Sequence, residues 1–389
     1  MCNDRWRSLF MGIIEAGYNS LALLVAIRFF DASDSAKSLI ACGASIGFLL
    51  APVFLLVASK SHLKVSGICA LCMIGSAIGT LCAASTNQVW VYTIALMAAL
   101  VIVAQVPSLM VHIYSRNYLH GERGRRISGN LMISAGIGAL TSLIIGQLLD
   151  QNIQFYHQIL LGITIACFCA ALLHLRIPSE PLREKNQPSL TQDLRLAFRD
   201  RFFAGMLFAW MLMGVGNLVT IPLRVEYAAN PSYGINATNT MVLLITVIIP
   251  AITRVISAPV WAFFFDRVNL AFVRISINLF FFGGIFLYFY SQTLIWLAIS
   301  SALIGWATGG GTLAWSLWVT KVAPPGRESA YMSVHSFFTG VRGVPAPFVG
   351  YWILSTLGPK DVAHISVSFI AASSIIFYTL ASNKRLRAT

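Results

Sequence analysis

Charged residues are scarce in this 389-residue chain: Asp, Glu, Lys and Arg together make up 11% of it, and 14 residues are acidic. Soluble globular proteins carry about 25% charged residues, so this chain cannot cover a water-exposed surface of its size. Its net charge of +13 would by itself suggest nucleic acid binding. However, the basic residues lie in short gaps between long apolar runs. The composition therefore excludes a water-soluble enzyme and a disordered chain, and we expect no nucleic acid partner.

The sequence also lacks the motifs of ATP-driven pumps and of common hydrolases. It has no P-loop, no GxSxG, no HExxH and no Cys/His cluster at metal-ligand spacing. The seven cysteines are scattered through apolar stretches, and Cys69 and Cys72 form an isolated CxxC pair inside one of them. Such a pattern does not make a disulfide framework. We therefore expect no enzymatic activity, no metal and no cofactor.

Long apolar runs fill most of the chain, which is 57% hydrophobic with a mean hydropathy of +0.75. A helix needs about 20 mostly apolar residues to cross a bilayer, and twelve runs reach this length. They predict an all-α integral membrane protein. The predicted spans are 6–30, 37–59, 65–85, 89–115, 127–149, 157–176, 201–227, 239–265, 270–290, 293–320, 329–355 and 362–382.

A polar interval at 177–200 divides the spans into two sets of six. Ser189 and Gln192 match a capping box, and Leu190, Leu194 and Phe198 recur at helical spacing. This pattern predicts a short helix on the cytoplasmic membrane surface. We therefore expect an N-terminal six-helix bundle at 1–176, a linker at 177–200 and a C-terminal six-helix bundle at 201–389.

Most basic residues lie on or near one side of this twelve-span pattern. Twenty-one of the 27 Lys and Arg residues are placed there, with Arg7 and Arg274 counted among them. Because cytoplasmic loops are enriched in Lys and Arg, we expect both termini and the linker to be cytoplasmic. The expected location is the cell membrane, which is the inner membrane if the source is a bacterium.

The two halves resemble each other weakly, which indicates a duplicated six-helix unit. Parallel repeats are one known transporter architecture. Three matches recur at separations of 204 to 207 residues: Ala-Pro-Val at 51–53 and at 258–260, Gly136 and Gly146 with Gly340 and Gly350, and Arg116 with Lys321.

Two loop sequences carry a family resemblance. The loop after the eighth span reads Phe-Asp-Arg-Val-Asn at 265–269, and the loop before the fifth reads Glu-Arg-Gly-Arg at 122–125. Both resemble signatures of the major facilitator superfamily, whereas the loop at 59–64 lacks the Asp and Gly of that signature. The resemblance covers essentially the whole chain. It implies a 6+6 fold, alternating access, and a cytoplasmic gate in which Asp266 and Arg267 lie near Arg125.

Ionisable residues at membrane depth are candidate functional residues, because each costs at least about 2.5–3.5 kcal/mol to insert. Arg254 and Arg342 lie near the middle of the eighth and eleventh spans, and His335 lies two turns before Arg342 on the same face. With no carboxylate in either span, the two guanidinium groups indicate an anionic solute. Alternatively, they bond to carbonyl groups that the prolines of these helices leave free.

Glu15 is the acidic residue within the first span, and Asn19 lies one turn further on the same face. A buried carboxyl group in a membrane is either a proton carrier, the partner of an arginine, or a contact for a cationic substrate. We expect proton coupling through Glu15 and substrate contact through Asn19.

Other polar residues extend the candidate site. Gln105 in the fourth span, Asn130 in the fifth and Asn217 in the seventh are predicted to hydrogen-bond the solute. Near the outer ends of helices, Arg28, Arg224 and Glu226 either extend to the membrane surface or form an outer gate.

These features predict a secondary active transporter, which moves a small organic solute by alternating access. We expect the solute to be anionic and the transport to be proton-coupled; a proton-driven exporter of amphipathic or cationic compounds is the alternative. A membrane-embedded enzyme or a scaffold is disfavoured, because a scaffold does not need arginines at mid-membrane. The expected partners are the solute, protons and the bilayer, and we expect a monomer.

Overall fold

A computed structural model describes residues 2–118, 120–182, 194–195, 198–324 and 327–386. Within these residues the regular structure is helical, apart from one isolated β-bridge between Lys64 and Pro181. Most of the predicted linker helix lies outside the described residues. The chain divides into two compact units, one of residues 1–187 with 237–247 and the other of residues 188–236 with 248–389. The bundle limits at 176 and 201 stay a prediction.

Within its described residues, the first half of the chain forms eight α-helices. They are α1 (Cys2–Ala16), α2 (Ala22–Arg28), α3 (Asp34–Lys60), α4 (Val65–Ala84), α5 (Val89–Val103), α6 (Val106–Asn117), α7 (His120–Gln151) and α8 (Tyr156–Leu175), with a π-helical segment at Gly17–Leu21 and a 3-10 turn at Ile153–Phe155.

The second half continues with α9 (Arg201–Ala229), α10 (Asn239–Leu243), α11 (Ile249–Arg267), α12 (Leu270–Tyr290), α13 (Leu294–Val322), α14 (Glu328–Gly343), α15 (Ala346–Thr356) and α16 (Pro359–Leu380). A second π-helical segment, Leu244–Ile248, joins α10 to α11, and 3-10 turns occupy Pro231–Tyr233 and Lys384–Leu386.

In the part of the chain that the structure describes, ten of the predicted spans form helices that are long and apolar enough to cross a membrane. They are Asp34–Lys60, Val65–Ala84, Val89–Asn117, Arg126–Gln151, Ile153–Leu175, Arg201–Ala229, Asn239–Arg267, Leu270–Tyr290, Leu294–Val322 and Pro359–Leu380. The predicted spans 6–30 and 329–355 are helical too, but each is divided into shorter helices. A multi-pass, all-helical membrane protein is thus confirmed, whereas the count of twelve spans stays a prediction.

Four helical stretches are interrupted part-way along their length. The π-helical segments interrupt two of them, and turns at 104–105 and 344–345 separate α5 from α6 and α14 from α15. Pro107, Pro250 and Pro347 each lie in the first turn of a helix that begins just after an interruption. Since proline lacks the amide proton of a regular helical turn and fits best in the first turn, these prolines help place three of the breaks.

Two basic residues that the charge pattern assigned to the cytoplasmic side are buried within helices. Arg7 lies within α1 and is 6% exposed, and Arg274 lies within α12 and is 1% exposed. Both occupy early turns of their helices, where the sequence cannot distinguish an inward from an outward side chain. Their charges are therefore part of the protein interior rather than of its loops.

A small polar network anchors the start of α9. The Asp200 carboxylate accepts a hydrogen bond from the Phe203 amide at 3.2 Å and from Arg385 Nη1 at 2.6 Å. The Tyr331 hydroxyl donates to the same carboxylate at 3.3 Å. Burial raises the pKa of Asp200, but the bonds from Arg385 and Phe203 outweigh burial and hold it below its usual value.

This network predicts a pH-dependent stability difference. Because the folded pKa of Asp200 is lowered, its stabilisation is present above the unfolded pKa of about 3.9 and is lost as the pH falls through the folded pKa. Asp200→Asn is expected to have a lower Tm than the wild type at pH 6, and the gap is expected to narrow as the pH falls from 6 to below the unfolded pKa of about 3.9. Thermal unfolding in detergent measures both. A gap that stays constant over this range would contradict the assignment.

Candidate functional site

Glu15 lines a cavity in the first unit. The cavity has a volume of about 180 Å³ and is also lined by Arg7, Tyr114, Asn130 and Ser134. The side chain of Glu15 is exposed, and the Ser134 hydroxyl donates to its Oε2 at 3.4 Å. A carboxyl group that faces a cavity can exchange protons with water. Asn19 lies in the π-helical segment beyond it, and its side chain lies outside the described part of the structure.

A buried ion pair lies beside this cavity and was missed by the sequence analysis. Asp4 Oδ1 is 2.8 Å from Arg7 Nε, and Arg7 Nη2 donates to the Tyr114 hydroxyl at 2.8 Å. Asp4 Oδ2 accepts from the Tyr118 hydroxyl and, at 2.5 Å, from Asn130 Nδ2. The i, i+3 spacing of Asp4 and Arg7 was the available signal. Asn130 therefore lines the cavity, but its amide group holds Asp4.

Gln105 lies at the break between α5 and α6. Its Nε2 donates to the backbone oxygens of Gly47 at 2.8 Å and of Val101 at 3.1 Å. A Cβ atom at Gly47 would lie 2.6 Å from Ala104 Cβ, so α3 approaches the break closely because this residue is glycine. The buried Gln105 Oε1 has no partner in the described structure. The amide group thus joins α3 to the break, and its oxygen is the part left to bind a solute.

Arg342 and His335 lie in an aromatic cluster of the second unit. Arg342 Nη1 donates to the backbone oxygen of Trp210 in α9, whereas its buried Nε has no partner among the described residues. The imidazole ring of His335 is fully buried, with its centroid 5.3–5.5 Å from the ring centroids of Trp210, Trp315 and Trp318. The structure thus brings together two of the predicted site residues, Arg342 and His335.

Arg254 and Asn217 are separate from this cluster in their contacts. Arg254 lies in α11, its side chain is exposed, and it has no polar side-chain partner in the described ranges. Asn217 lies in α9, and its buried Oδ1 also has no partner there. Both side chains keep hydrogen-bonding capacity for a ligand.

The predicted gate residues are only partly described. Asp266 is exposed at the end of α11 and interacts electrostatically with Lys321, whose Nζ donates to the Phe265 oxygen at 2.5 Å. The Arg267 guanidinium lies 3.9 Å from the centroid of the Phe263 ring. The side chain of Arg125 lies outside the described residues. Contact between Asp266 and Arg125 stays a prediction.

Arg28 belongs to a contact between helix ends that we call the α7–α10 lock. In the first unit, Asp150 at the end of α7 accepts hydrogen bonds from the backbone amides of Asn239 at 2.6 Å and Thr240 at 3.0 Å. Arg28 donates to Asn239 Oδ1 at 2.7 Å and to the Ala237 oxygen. A carboxylate at the first amides of a helix is favoured by the helix dipole. Arg28 is thus a lock residue rather than a side chain extended to the membrane surface.

Glu226 does not extend to the membrane surface. It is buried, and it accepts hydrogen bonds from Asn230 Nδ2 at 2.7 Å and from the Tyr351 hydroxyl at 3.4 Å. The surface interpretation of this residue was wrong, because the hydrophobicity of α9 does not indicate which side of the helix is packed. Glu226 instead joins α9 to α15.

Two glycines of α7 provide a matched test of the α7–α10 lock. A Cβ atom at Gly146 would lie 2.7 Å from Thr240 Cα, whereas a Cβ at Gly136 meets no atom within 4 Å. Gly146→Ala is expected to destabilise the protein by roughly 1–3 kcal/mol through overpacking. Gly136→Ala is expected to be neutral or stabilising by up to ~1 kcal/mol, because alanine favours helices. Thermal unfolding compares them, and equal Tm values would contradict close packing at Gly146.

Comparisons with known proteins support a transporter fold. A mutant of the nucleoside transporter NupG superposes with a TM-score of 0.79 at 14% identity, covering 97% of this chain and 98% of that one. A D-xylose–proton symporter gives 0.73 at 14% identity, covering 99% and 98%. The inward-open xylose transporter XylE from E. coli gives 0.67 at 13% identity, covering 98% and 96%. The search of curated proteins found no match.

At these identities the structural likeness shows the fold alone. The sequence itself matches the family model "Major Facilitator Superfamily" over residues 8–267, which is more than half of the chain. The family and the structural neighbours are transporters, not enzymes. The chain therefore belongs to the major facilitator superfamily.

Proposed function

We propose that this protein is a secondary active transporter that moves a small anionic organic solute by alternating access, in exchange or together with protons. This proposal rests mainly on one observation, namely that the polar candidate residues lie at or close to the helix interruptions. Glu15 lies just before the first π-helical segment, Gln105 at the α5–α6 break, Arg254 shortly after the second π-helical segment, and Arg342 just before the α14–α15 break.

Interrupted helices suit a solute site inside a membrane. At a break, backbone groups lose their regular helical partners, and transporters use such groups together with nearby side chains to bind solutes and ions. A polar residue at one break could arise for structural reasons alone. Its recurrence at four breaks, in both halves of the chain, supports a common role in transport.

The anionic class of the solute follows from the basic residues. Arg254 is exposed without a polar partner among the described residues, and Arg342 keeps an unpartnered Nε. A guanidinium group binds carboxylate or phosphate through two parallel hydrogen bonds. We assign both arginines to the anionic group of the solute, with Gln105, Asn217 and Asn19 as further hydrogen-bonding residues.

Glu15 supplies the proton coupling in this proposal. Its carboxyl group lines the 180 Å³ cavity and accepts a hydrogen bond from Ser134. Loss or gain of its proton changes the charge balance that an anionic solute meets. We further propose that the protein is a monomer in the cell membrane with twelve spans and cytoplasmic termini. Its cytoplasmic gate consists of Asp266, Arg267 and Arg125.

A second candidate is a proton-driven exporter of amphipathic cations. It is favoured by the lining of the Glu15 cavity, which combines the carboxyl group with Met11, Met110 and Ile127. Flexible methionine side chains adapt to apolar ligands of different shapes. The two candidates differ in the charge of the solute.

Solute counterflow in proteoliposomes tests the proposed function. The panel contains labelled lactate, succinate and glucose 6-phosphate as anions, uridine, D-xylose and alanyl-alanine as comparators, and tetraphenylphosphonium as the cation. We expect exchange of an anion, reduced at least ~10-fold by Arg342→Gln or Arg254→Gln, since a hydrogen bond to a charged group contributes about 1.5–3 kcal/mol. Lys360→Gln, which changes an exposed residue, is the surface control. Anion exchange at wild-type rates in both variants would exclude these arginines, and exchange of the cation alone would favour the exporter.

A further inference from the structure

The second unit contains a buried arginine that the proposed function does not use. Arg274 is 1% exposed, and its Nε, Nη1 and Nη2 all lack a hydrogen-bond partner in the described structure. Its guanidinium carbon lies 4.1 Å from the centroid of the Trp210 ring. All three nitrogens of a permanently charged group are thus removed from water without a compensating bond.

The surroundings of Arg274 add positive charge. Arg342, which is bonded to the Trp210 backbone oxygen, is close enough to interact electrostatically with Arg274. His335 lies against the Trp210 ring, and both of its ring nitrogens lack partners. No Asp or Glu side chain pairs with any of these three residues in the described ranges. We call Arg274, Arg342, His335 and Trp210 the cationic cluster.

The internal repeat provides a reference for this cluster. Three positions near Asp4 and Arg7 have counterparts in the second unit, 204 or 205 residues further along the chain, although the residue types differ. The pairs are Cys69 with Arg274, Tyr114 with Trp318, and Asn130 with His335. In the first unit, Arg7 lies near Cys69 and is paired with Asp4. Each unit therefore buries a guanidinium group in an equivalent region. In the first unit a carboxylate neutralises it, whereas in the second no Asp or Glu side chain pairs with Arg274 among the described residues.

The energetic terms point to a missing anion. A buried charge left without its partner is strongly destabilising. A cation–π contact compensates for only part of this cost. We propose that the cationic cluster is a binding site for a small oxyanion, a carboxylate or phosphate group, with Arg274 as its main ligand and Arg342 and His335 beside it.

Gly311 lies directly beside Arg274. This residue of α13 is half-buried, and a Cβ atom there would lie 3.8 Å from Arg274 Nη1 and 3.6 Å from the Phe281 ring. A methyl group would therefore make ordinary contacts at this position, and a larger side chain would occupy the approach to the guanidinium group. The neighbouring Gly310 differs, because a Cβ there would lie 2.7 Å from the Trp261 ring.

This site deepens the proposed function. Whether the bound anion is transported rests on the proposed function, whereas the binding of the anion does not. The oxyanion is either the charged group of the transported solute or an inorganic anion that stays bound as a counter-ion. Both sources need the same chemistry, namely the planar donor fork of arginine. Binding and transport measurements together distinguish them.

Thermal unfolding with oxyanions tests the site. The full-length protein in detergent is titrated with sodium acetate and with sodium phosphate at constant ionic strength, with sodium chloride as the balancing salt. We expect a saturable rise in Tm for the wild type, a half-saturation concentration at least 10-fold higher for Arg274→Gln, and an unchanged one for Lys360→Gln, which changes an exposed residue outside the site. Equal titrations of wild type and Arg274→Gln, or no oxyanion-dependent rise in the wild type, would overturn the proposal.

A second variant covers the case in which Arg274→Gln does not fold. Gly311→Val keeps every charge of the cluster and narrows the approach, so we expect it to weaken oxyanion binding at least 10-fold. Gly283→Val in α12, where a Cβ meets no atom within 4 Å, is the matched control. Wild-type binding by Gly311→Val would overturn the proposed site.

Counterflow separates this inference from the proposed function. If the solute itself occupies the site, we expect Arg274→Gln to abolish anion exchange. If an inorganic counter-ion occupies it, we expect Arg274→Gln to retain the wild-type KM for the solute, and we expect exchange by the wild type to require acetate or phosphate in the buffer. Both outcomes support the site. Oxyanion binding without any solute exchange would contradict the proposed function and support the oxyanion site. Anion exchange together with oxyanion binding that does not depend on Arg274 would support the proposed function and contradict the site.

Discussion

Replacing Glu15 by Gln is expected to abolish proton-driven accumulation of the solute while solute exchange continues. Glutamine has nearly the shape of glutamate and still accepts the hydrogen bond that Ser134 donates at 3.4 Å. It cannot release or take up a proton. A pH gradient therefore no longer drives uptake in Glu15→Gln, and accumulation should fall to the level of empty liposomes. Counterflow, which needs no net proton movement, should stay within ~3-fold of the wild type, a barrier change of less than 1 kcal/mol.

The control for this prediction is Ser134→Ala. This variant removes the hydrogen bond to the carboxyl group but keeps the titratable group, so accumulation should persist. Equal loss of accumulation and counterflow in Glu15→Gln, with a lowered Tm, would show a structural role instead. Complete loss of cation export in Glu15→Gln, with no anion exchange in the wild type, would favour the exporter.

Replacing Asp4 by Ala is expected to destabilise the protein severely. The change leaves the Arg7 guanidinium buried without its 2.8 Å partner and removes the acceptor for Tyr118 and Asn130. Removing one partner of a buried pair costs about 3–5 kcal/mol. For a unit of the size of the first one, residues 1–187 with 237–247, this cost corresponds to a fall in Tm of ~10 °C. Thermal unfolding of the full chain in detergent measures it.

The double variant Asp4→Ala with Arg7→Met separates the ion pair from general packing. Replacing both partners by apolar groups is often close to neutral, so this double variant should recover much of the lost Tm. Lys37→Met supplies a second comparison, because the pair between Lys37 and Asp34 spans 3.0 Å but has a half-exposed carboxylate. A change of less than 2 °C in Asp4→Ala would show that the buried pair contributes little.

The helices were predictable because hydrophobic length and polar gaps are local properties. The predicted span 270–290 coincides with α12, and 65–85 differs from α4 by one residue. The breaks were only partly predictable. Pro250 and Pro345 marked two of them, but the π-helical segment at Gly17–Leu21 has no proline. There a Cβ at Gly17 would lie 2.2 Å from Ile163 Cδ1, so the glycine reflects a contact with α8 that only the fold reveals.

The candidate site was predictable for single residues and unpredictable for their partners. Glu15 and Arg342 were recognised as candidates from their position near the middle of a span, because inserting a charge there is unfavourable whichever way its side chain points. It could not identify Arg274, since a basic residue in the first turns of a helix is typical of a loop boundary. Its burial depends on Trp210, 64 residues away in α9. Likewise, Gln105 was expected to face a solute, but its amide donors bind backbone oxygens of α3 and α5.

Solute accumulation in sealed proteoliposomes under an imposed pH gradient tests the central claim most directly. The labelled anion that exchanges in counterflow is supplied outside, and its internal concentration is followed with and without a protonophore. We expect the internal concentration to rise at least ~10-fold above the external one, which corresponds to about 1.4 kcal/mol, and the protonophore to abolish the rise. Equilibration to equal concentrations, or the absence of flux for every anion tested, would contradict a proton-coupled anion transporter.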